Sequence, residues 1–473
     1  MPRRRYYICY ALILAALIIA TGCCCKSYDD PYTLGAPTPG LTSPGVLHAG
    51  AAKVDITPAI GVPLAGYSGR RLSFPDINPF DYHTYFKPSE GILSPLYARS
   101  FVLDNGSERV CIVVVDTCAS DGEIVELAHR KAAAQGFSIP LEKVLFCSSH
   151  THSGPGAMTR KRLLIFAAAD RCVNKVREEF TSKIAESMVT AEQNMFPVRI
   201  SIATVSVVGV TKNRRGDASP NYDDTHIDDQ LGIISVDKKD GSPLATLWNY
   251  AIHGTSHGGG NLKYSPDNMG GVSASVEQNV GGIALFINGP EGDISPKGSI
   301  ASITTILGNE IKNNRPVALQ DWLELKTAHE IVNFGNPRID ASLQRILSLT
   351  DAELDFKAFL EEEGINPGTN FTMDNSWLEN EFRFQAIRIG KTLLSSVPGE
   401  PIYDIGIIIR NNGTGMGYDK VFICALANNH MGYVTTKQEY DVGGYESFFT
   451  MFGPTTGENV TNACNRVAEV IKP

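Results

Sequence analysis

Short apolar runs rich in β-branched residues alternate along the chain with longer stretches whose apolar positions recur every three or four residues. The short runs are typical of buried strands, and the longer stretches are typical of amphipathic helices. The alternation predicts an α/β fold, a single large mixed domain with loops at its strand ends. The predicted strands are Arg109–Val115, Lys143–Cys147, Val198–Val208, Gly232–Val236, Leu244–Ala251, Gly282–Ile287 and Lys420–Ala427, and the predicted helices are Glu123–Gln135 and Arg177–Gln193.

The first 47 residues and one later stretch of the chain do not show this pattern. Residues 1–22 read as a signal peptide of the lipoprotein type, because Arg3, Arg4 and Arg5 precede an apolar run and Ala20-Thr21-Gly22 precedes Cys23. A single transmembrane anchor is the alternative, but the run is short for about 20 apolar residues. Residues 23–47, rich in Pro, Gly, Ser and Thr, are predicted to be a flexible tether, and residues 48–473 the folded domain. The polar, helix-leaning stretch from Asp340 to Glu381 is predicted to be an insertion or cap.

The length, composition and charge of the chain narrow the classes of function that it can have. The chain has 473 residues, 43% of them hydrophobic, so it can bury a large core. Its formal net charge is −9 and no Lys/Arg block follows the first residues, which argues against a nucleic-acid partner. The leader and Cys23 predict export, with a lipid on Cys23 holding the protein at the cell envelope; secretion is the alternative. The cysteines of the body stand singly and are predicted to be buried small hydrophobes rather than metal ligands.

Histidines follow two of the predicted strands. After Lys143–Cys147 come His150 and His152, two residues apart, so an extended chain would present both rings on one side. That pairing suits zinc, although histidines at a strand end are often satisfied by backbone carbonyls. After Leu244–Ala251 comes His253, followed by a glycine-rich loop in which His257 is a rival ligand or a surface residue.

A third strand, Gly282–Ile287, is followed by Asp293 and Ser295. These residues fit a carboxylate and a nucleophile, or a turn, since Gly, Asp, Ser and Pro favour turns. Sites in α/β sheets gather beyond the carboxyl ends of strands, and three strands in succession end in such residues. The recurrence predicts one catalytic site built from all three loops.

Several ordered motifs resemble the signatures of the neutral, non-lysosomal ceramidase family. They extend over about residues 48 to 465, and their order along one chain is more specific than any one of them. The motifs are Val54-Asp-Ile-Thr-Pro58, Ser149-His-Thr-His-Ser-Gly-Pro155, Asn213-Arg214, Ala251-Ile-His-Gly-Thr255, Ser265-Pro-Asp267, Gly292-Asp-Ile-Ser-Pro296, Val397-Pro-Gly-Glu400 and Tyr433-Val-Thr-Thr436.

The resemblance implies a site as well as a fold. It implies one Zn²⁺ per chain, and the ligands carried over by position are His150, His253, Glu400 and Tyr433. It also implies that His152 faces the substrate carbonyl, that Arg214 lines the site and that Ser295 is the nucleophile. The activity implied is hydrolysis of the amide bond of N-acylsphingosine (ceramide) or a related N-acyl lipid at a membrane surface, giving a fatty acid and a sphingoid base.

The residues leave the mechanism and the substrate open. Ser295 lacks the sequence context of a nucleophile elbow, so either Ser295 or a zinc-bound water attacks. The family usually has Asn where Lys297 stands, the segment after His253 is unusually rich in glycine, and the chain ends without the family's C-terminal immunoglobulin-like domain. A zinc hydrolase of another amide or ester, or a non-catalytic surface lipoprotein, are therefore the alternatives.

Overall fold

The computed structural model describes residues 45–315, 319–341 and 369–473. The predicted leader and almost all of the tether lie outside these residues. The strands are β1 (His48–Asp55), β2 (Gly91–Ile92), β3 (Tyr97–Asp104), β4 (Arg109–Val115), β5 (Val144–Ser148), β6 (Met195–Ser206), β7 (Thr211–Asn213), β8 (Gln230–Lys238), β9 (Pro243–Tyr250), β10 (Lys263–Tyr264), β11 (Ile283–Asn288), β12 (Ile294–Pro296), β13 (Leu325–Asn333), β14 (Arg338–Ala341), β15 (Thr369–Thr372), β16 (Glu381–Ile389), β17 (Thr392–Ser396), β18 (Glu400–Pro401), β19 (Lys420–Cys424) and β20 (Tyr433–Val434).

Helices account for most of the remaining regular structure. A single helical turn, Arg162–Leu164, continues into a π-helical segment, Ile165–Ala169. The other α-helices are α1 (Gly122–Ala134), α2 (Asn174–Gln193), α3 (Asp267–Asn279), α4 (Ile300–Asn313), α5 (Tyr403–Gly415), α6 (Lys437–Val442), α7 (Tyr445–Phe448) and α8 (Thr456–Val470). No helix in the described ranges is both long and apolar enough to cross a bilayer.

The predicted mixed α/β class is confirmed. An eight-stranded sheet has the order β11-β9-β8-β6-β1-β3-β4-β5, with parallel pairs at its two edges and antiparallel pairs between them. The long strand β6 pairs with β1 through its first residues and with β8 through the rest. The two halves fold towards each other, so that β11 at one edge contacts β3, β4 and β5.

Alternating side chains divide the core into layers. In β4, Val110, Ile112 and Val114 face an inner core shared with β9, β11 and a second, four-stranded sheet ordered β13-β16-β17-β19. Cys111, Val113 and Val115 face α1 and α2 on the outside. Helices α3 and α4 cover the outer face of the other half, and α5 and α8 cover the four-stranded sheet. Strands buried on both faces explain why the sequence shows continuous apolar runs.

The predicted insertion between Asp340 and Glu381 is described only at its ends. Those ends are strands rather than helices, because β14 pairs with β15 in antiparallel register, from Arg338 opposite Thr372 to Ala341 opposite Thr369. Residues 342–368 lie outside the described part of the chain. The helix-leaning interpretation is therefore wrong for the flanking residues, where cross-strand pairing outweighs the local propensity.

Candidate metal centre and cavity

The candidate site lies where strands from all parts of the fold end together. Near the end of β5, Cys147 forms an isolated antiparallel β-bridge with Ala427, which follows β19. The N–H of Ala425 donates to the carbonyl of Asn288 at the end of β11, at 3.0 Å. Loops that leave β5, β9, β11, β17 and β19 are thereby brought to one place.

His150 follows β5 and is held by backbone carbonyls. The backbone of His150 has φ 65°, in the left-handed region, and its N–H donates to the carbonyl of Thr117 at 3.0 Å. Its Nδ1 lies 2.8 Å from the carbonyl of Cys118. A proton on Nδ1 satisfies that carbonyl and leaves the Nε2 lone pair directed into the site, which is how a metal-binding histidine is usually oriented.

His253 is oriented in the same way from another loop. Its Nδ1 lies 2.7 Å from the carbonyl of Glu291, and its N–H donates to the carbonyl of Ile294 at 3.0 Å. Its side chain is fully buried. Burial, followed by the charge of Arg214, lowers the pKa of His253 to about 4, so the ring is neutral and its Nε2 is available.

Glu400 supplies the carboxylate between these two rings. Its Oε2 lies 3.3 Å from Nε2 of His150 and 3.4 Å from Nε2 of His253, and among the described residues this buried oxygen receives no hydrogen bond. The three donor atoms all lie within 4.8 Å of one another. Burial alone would raise the pKa of Glu400, but the charge of His150 holds it well below its usual range, and the carboxylate in turn raises the pKa of His150 against the effect of burial. A metal ion bound here would displace the proton from Nε2 of His150. Two imidazole nitrogens and a free carboxylate oxygen are a donor set that suits zinc.

His152 lies beside the cluster. Its Nε2 is 3.3 Å from Nε2 of His150, and its ring packs edge-on against Tyr67 with a centroid distance of 4.8 Å. Arg70 donates to its backbone carbonyl at 2.7 Å, which orders the loop. Burial, and then the charge of His150, lower the pKa of His152 well below its usual value. The ring is therefore neutral and able to exchange a proton.

Tyr433 and Arg214 lie beside the cluster of His150, His253 and Glu400. The Tyr433 hydroxyl lies 3.5 Å from Nε2 of His253 and accepts a 3.1 Å hydrogen bond from Nη2 of Arg214. Arg214 is itself positioned by the carboxylate of Glu446, at 2.9 Å, and by the carbonyl of Gly292, at 2.8 Å. Burial raises the pKa of Tyr433 well above its usual value, so its hydroxyl carries its proton.

These polar groups line one part of a cavity of about 450 Å³. The rest of its wall is mostly apolar. That volume and mixture of surfaces are typical of a small-molecule site. The apolar wall consists of Ala65, Ile124, Met158, Leu163, Leu164, Ala167, Ala168, Ala169, Leu378, Phe449 and Met451.

Three residues weighed from the sequence lie apart from this cluster. Ser295 is half-buried in β12, opposite Lys212 of β7, and does not line the cavity. Within the described residues its hydroxyl has no hydrogen-bond partner. Asp293 is buried and accepts hydrogen bonds from the side chain of Asn213 at 2.8 Å and from the N–H of Tyr403 at 2.9 Å. The His257 ring lies outside the cluster.

Several residues of the site were not anticipated from the sequence. His430 lines the cavity, and its Nε2 lies 3.1 Å from Oε1 of Glu400. Glu446 positions Arg214, and the carbonyls of Cys118 and Glu291 orient the two imidazoles. His430 follows the apolar run of β19, which is the same signal that indicated His150 and His253, and it could have been found in that way.

The mostly buried carboxyl of Glu379, behind the cavity wall, leads to a prediction about the pH dependence of stability. Glu379 accepts from the N–H of Gly122 at 3.0 Å, and burial, followed by the charge of Asp121, raises its pKa to about 7. A raised pKa gives stability that is complete below the unfolded value of 4.5 and is lost as the pH rises through 7. Glu379→Gln, which resembles the protonated form, should therefore be more stable than the parent protein at pH 8, by roughly 3 kcal/mol.

Urea unfolding at pH 8 and at pH 4 tests this difference. The gain should vanish at pH 4, where the parent carboxyl is itself protonated. Glu381→Gln, at an exposed position two residues away, should change stability little at either pH. An equal effect of both substitutions would count against the buried carboxyl as the cause.

The fold and the cluster define a class of protein: a mixed α/β domain with a candidate buried metal site of two imidazoles and one carboxylate at its strand ends. Comparison with known proteins identifies the family. The model described as "Neutral/alkaline non-lysosomal ceramidase, N-terminal" matches residues 48–306 and 364–462. The chain belongs to this ceramidase family, which confirms the resemblance inferred from the motifs.

Individual relatives are distant. The chain is 23% identical to the neutral ceramidase of Pseudomonas aeruginosa, over 94% of this chain and 73% of that protein. It is 22% identical to neutral ceramidase B of Dictyostelium discoideum, over 84% and 70% of the two chains. The crystal structure of the Pseudomonas aeruginosa neutral ceramidase superposes with a TM-score of 0.75, at 22% identity, covering 90% of this chain and 76% of that chain.

Proposed function

We propose that the protein is a zinc-dependent amidohydrolase that cleaves the amide bond of N-acylsphingosine or a related N-acyl lipid. The observation that carries the proposal is the cluster of His150, His253 and Glu400, buried at the polar part of an apolar cavity. Membership of the ceramidase family supports the same reaction. The products would be a fatty acid and a sphingoid base.

The donor groups fit a zinc ion. Both imidazoles present Nε2 to the same point, and the buried Oε2 of Glu400 receives no hydrogen bond within the described part of the chain. A buried carboxylate oxygen in that state costs free energy unless a cation binds it. The hydroxyl of Tyr433 would be the fourth ligand. When bound, zinc lowers the pKa of a coordinated water to about 7 and polarises a carbonyl.

The chain's own residues would orient the substrate and move the proton. The apolar wall formed by Leu163, Leu164 and Met451 suits an acyl chain, which would direct the amide towards the histidines. Neutral His152 is placed to take a proton from the attacking water and then, as the imidazolium, to give it to the departing amine nitrogen. Arg214 is held by two acceptors, so it would keep Tyr433 and the polar part of the substrate in place.

Ser295 has a different role in this proposal. Because its hydroxyl makes no hydrogen bond to a base among the described residues and Ser295 does not line the cavity, we assign the attack to water and a supporting role to Ser295. Ser295→Ala should therefore keep activity within about tenfold of the parent protein, since its hydroxyl would at most help to position the substrate. A loss as complete as that of His150→Ala, in a folded and zinc-loaded variant, would favour acylation of Ser295 instead.

The experiment is release of fluorescent fatty acid from labelled ceramide in detergent micelles. Protein from Gly45 onward is suitable, since the hydrophobic clusters of the described structure contain no residue before Leu47. Release that is sensitive to a zinc chelator supports the proposal. No release by folded, zinc-loaded protein would overturn the ceramide assignment. Zinc content and a panel of other amides and esters would then separate another hydrolase from a binding protein.

We further propose export and attachment to the membrane through a lipid on Cys23. The charged n-region, the apolar run and the small residues before Cys23 support this assignment. Labelled palmitate should enter the full chain and not Cys23→Ser. Incorporation into both proteins, or into neither, would contradict the assignment.

A further inference from the structure

The loop that joins β1 to β3, residues 56–96, presents large apolar side chains to solvent. Phe80 is 91% exposed and Ile77 is 72% exposed. Ile60, Phe74, Ile92 and Leu93 in the same loop are also exposed. Single exposed apolar residues are ordinary, but a group of them in one loop indicates an interaction surface. We call residues 74–80 the apolar tip.

The apolar tip belongs to a loop that is tied to the wall of the cavity. The carboxylate of Asp170 accepts from the N–H groups of Thr84, Tyr85 and Phe86, at 2.9 to 3.1 Å. The ring of Tyr85 packs on Phe166 with a centroid distance of 5.3 Å. Asp170 directly follows the segment Ile165–Ala169, whose alanines line the cavity. Asp170 therefore connects the loop that carries the apolar tip to the helical segment that lines the cavity.

The helical segment beside Asp170 is itself apolar and partly exposed. From Leu164 to Ala169 every side chain is apolar and none is fully buried. Leu164, Ala167 and Ala168 line the cavity as well. An apolar, water-accessible surface therefore runs from the cavity wall towards the loop that carries the tip.

The chain enters the fold at the other end of the sheet. His48 at the start of β1 lies opposite Asp104, which pairs with Arg109 at the start of β4. The site follows Val115, at the far end of the same strand. The described chain therefore begins at the end of the sheet remote from the cavity. The 25 residues from Cys23 to Leu47 could span at most about 90 Å, which is long enough for the domain to change its orientation at a membrane.

We propose that the apolar tip docks on the surface of a zwitterionic lipid bilayer and turns the cavity towards it. The proposal rests on the proposed function, because a lipid substrate has to leave a bilayer to reach the cavity. Residues 71–90 contain two basic and three acidic side chains, so burial of apolar surface drives the docking rather than attraction to anionic lipids. The tether keeps the domain near the membrane, and the tip sets its orientation.

Cosedimentation with phosphatidylcholine vesicles tests the docking. The protein from Gly45 onward is compared with Ile77→Ser/Phe80→Ser, and the double variant should partition at least about tenfold less, because two large side chains no longer enter the lipid. Phe196→Ser/Trp322→Ser is the matched control. Both residues are exposed, and Phe196 lies opposite Ala49 at the end of the sheet where the chain enters. The control should bind as the parent does.

The vesicles contain no ceramide, so the outcome does not depend on catalysis. Equal binding by the parent and the tip variant, or a loss confined to the control, would overturn the proposal. Binding that requires anionic lipid would overturn the assignment to a zwitterionic surface. A dimer that forms without vesicles and disappears in the tip variant would assign the surface to a second copy of the chain. Urea unfolding of each variant checks that the fold is retained.

Discussion

Glu400→Gln is expected to abolish zinc binding and to lower amide hydrolysis by more than about 100-fold, since loss of an outer-sphere partner alone costs roughly 10- to 100-fold. The carboxylate stands between His150 and His253, with its Oε2 3.3 Å and 3.4 Å from their Nε2 atoms. An amide oxygen in its place carries no charge, and the amide nitrogen would face two imidazole lone pairs. The site would lose both a ligand and the charge that balances the cation.

Zinc content by atomic emission, measured after dialysis against a fixed low zinc concentration, tests the ligand role without reference to activity. Glu90→Gln, at an exposed position in the loop before β3, is the matched control and should keep one zinc per chain. Full zinc occupancy in Glu400→Gln would show that this carboxylate is not a ligand. Normal activity without zinc would overturn the proposed chemistry as a whole.

The strands could be predicted because their residues are apolar on both faces. Strand β4 has the predicted bounds, Arg109–Val115, and β5 is displaced from its prediction by one residue. Helix α2 begins at Asn174, three residues earlier than predicted, because polar residues of a first turn carry no apolar periodicity. Local pattern is enough to locate such elements.

The arrangement of those strands could not be predicted in the same way. Strand β6 pairs with β1 and β8 through different parts of its length, and β11 packs against β3 although the two strands are far apart in the sequence. These contacts depend on which buried surfaces fit one another across the whole domain. No stretch of sequence specifies them by itself.

The site was predictable where side chains act and not where the backbone acts. His150, His152 and His253 follow apolar runs, so their gathering could be expected from strand ends. The carbonyls of Cys118 and Glu291, which orient the two imidazoles, have no signature in the side-chain sequence. The same reason explains why spacing alone could not separate His253 from His257.

Arg215→Met is expected to lower the free energy of unfolding by about 3–5 kcal/mol, because it leaves buried carboxylates without their cation. Arg215 is 1% exposed and donates to Glu439 at 2.6 Å, to Glu446 at 2.9 Å and to the carbonyl of Gly443 at 2.9 Å. Both carboxylates are buried in the short helices α6 and α7. Arg214, the adjacent residue, retains Glu446, so most of the loss arises at Glu439.

Arg466→Met provides the comparison, because Arg466 also binds a glutamate, Glu330, at 2.8 Å, but its side chain is 52% exposed. An exposed ion pair is worth about 0–1 kcal/mol, so urea unfolding should separate the two substitutions clearly. Adding Glu439→Gln to Arg215→Met should recover part of the stability, since the uncompensated charge is then removed. Equal losses for the two single variants would show that Arg215 contributes no more than a surface pair. Because Glu446 also positions Arg214, movement of α7 in Arg215→Met should lower activity even under conditions where the protein remains folded.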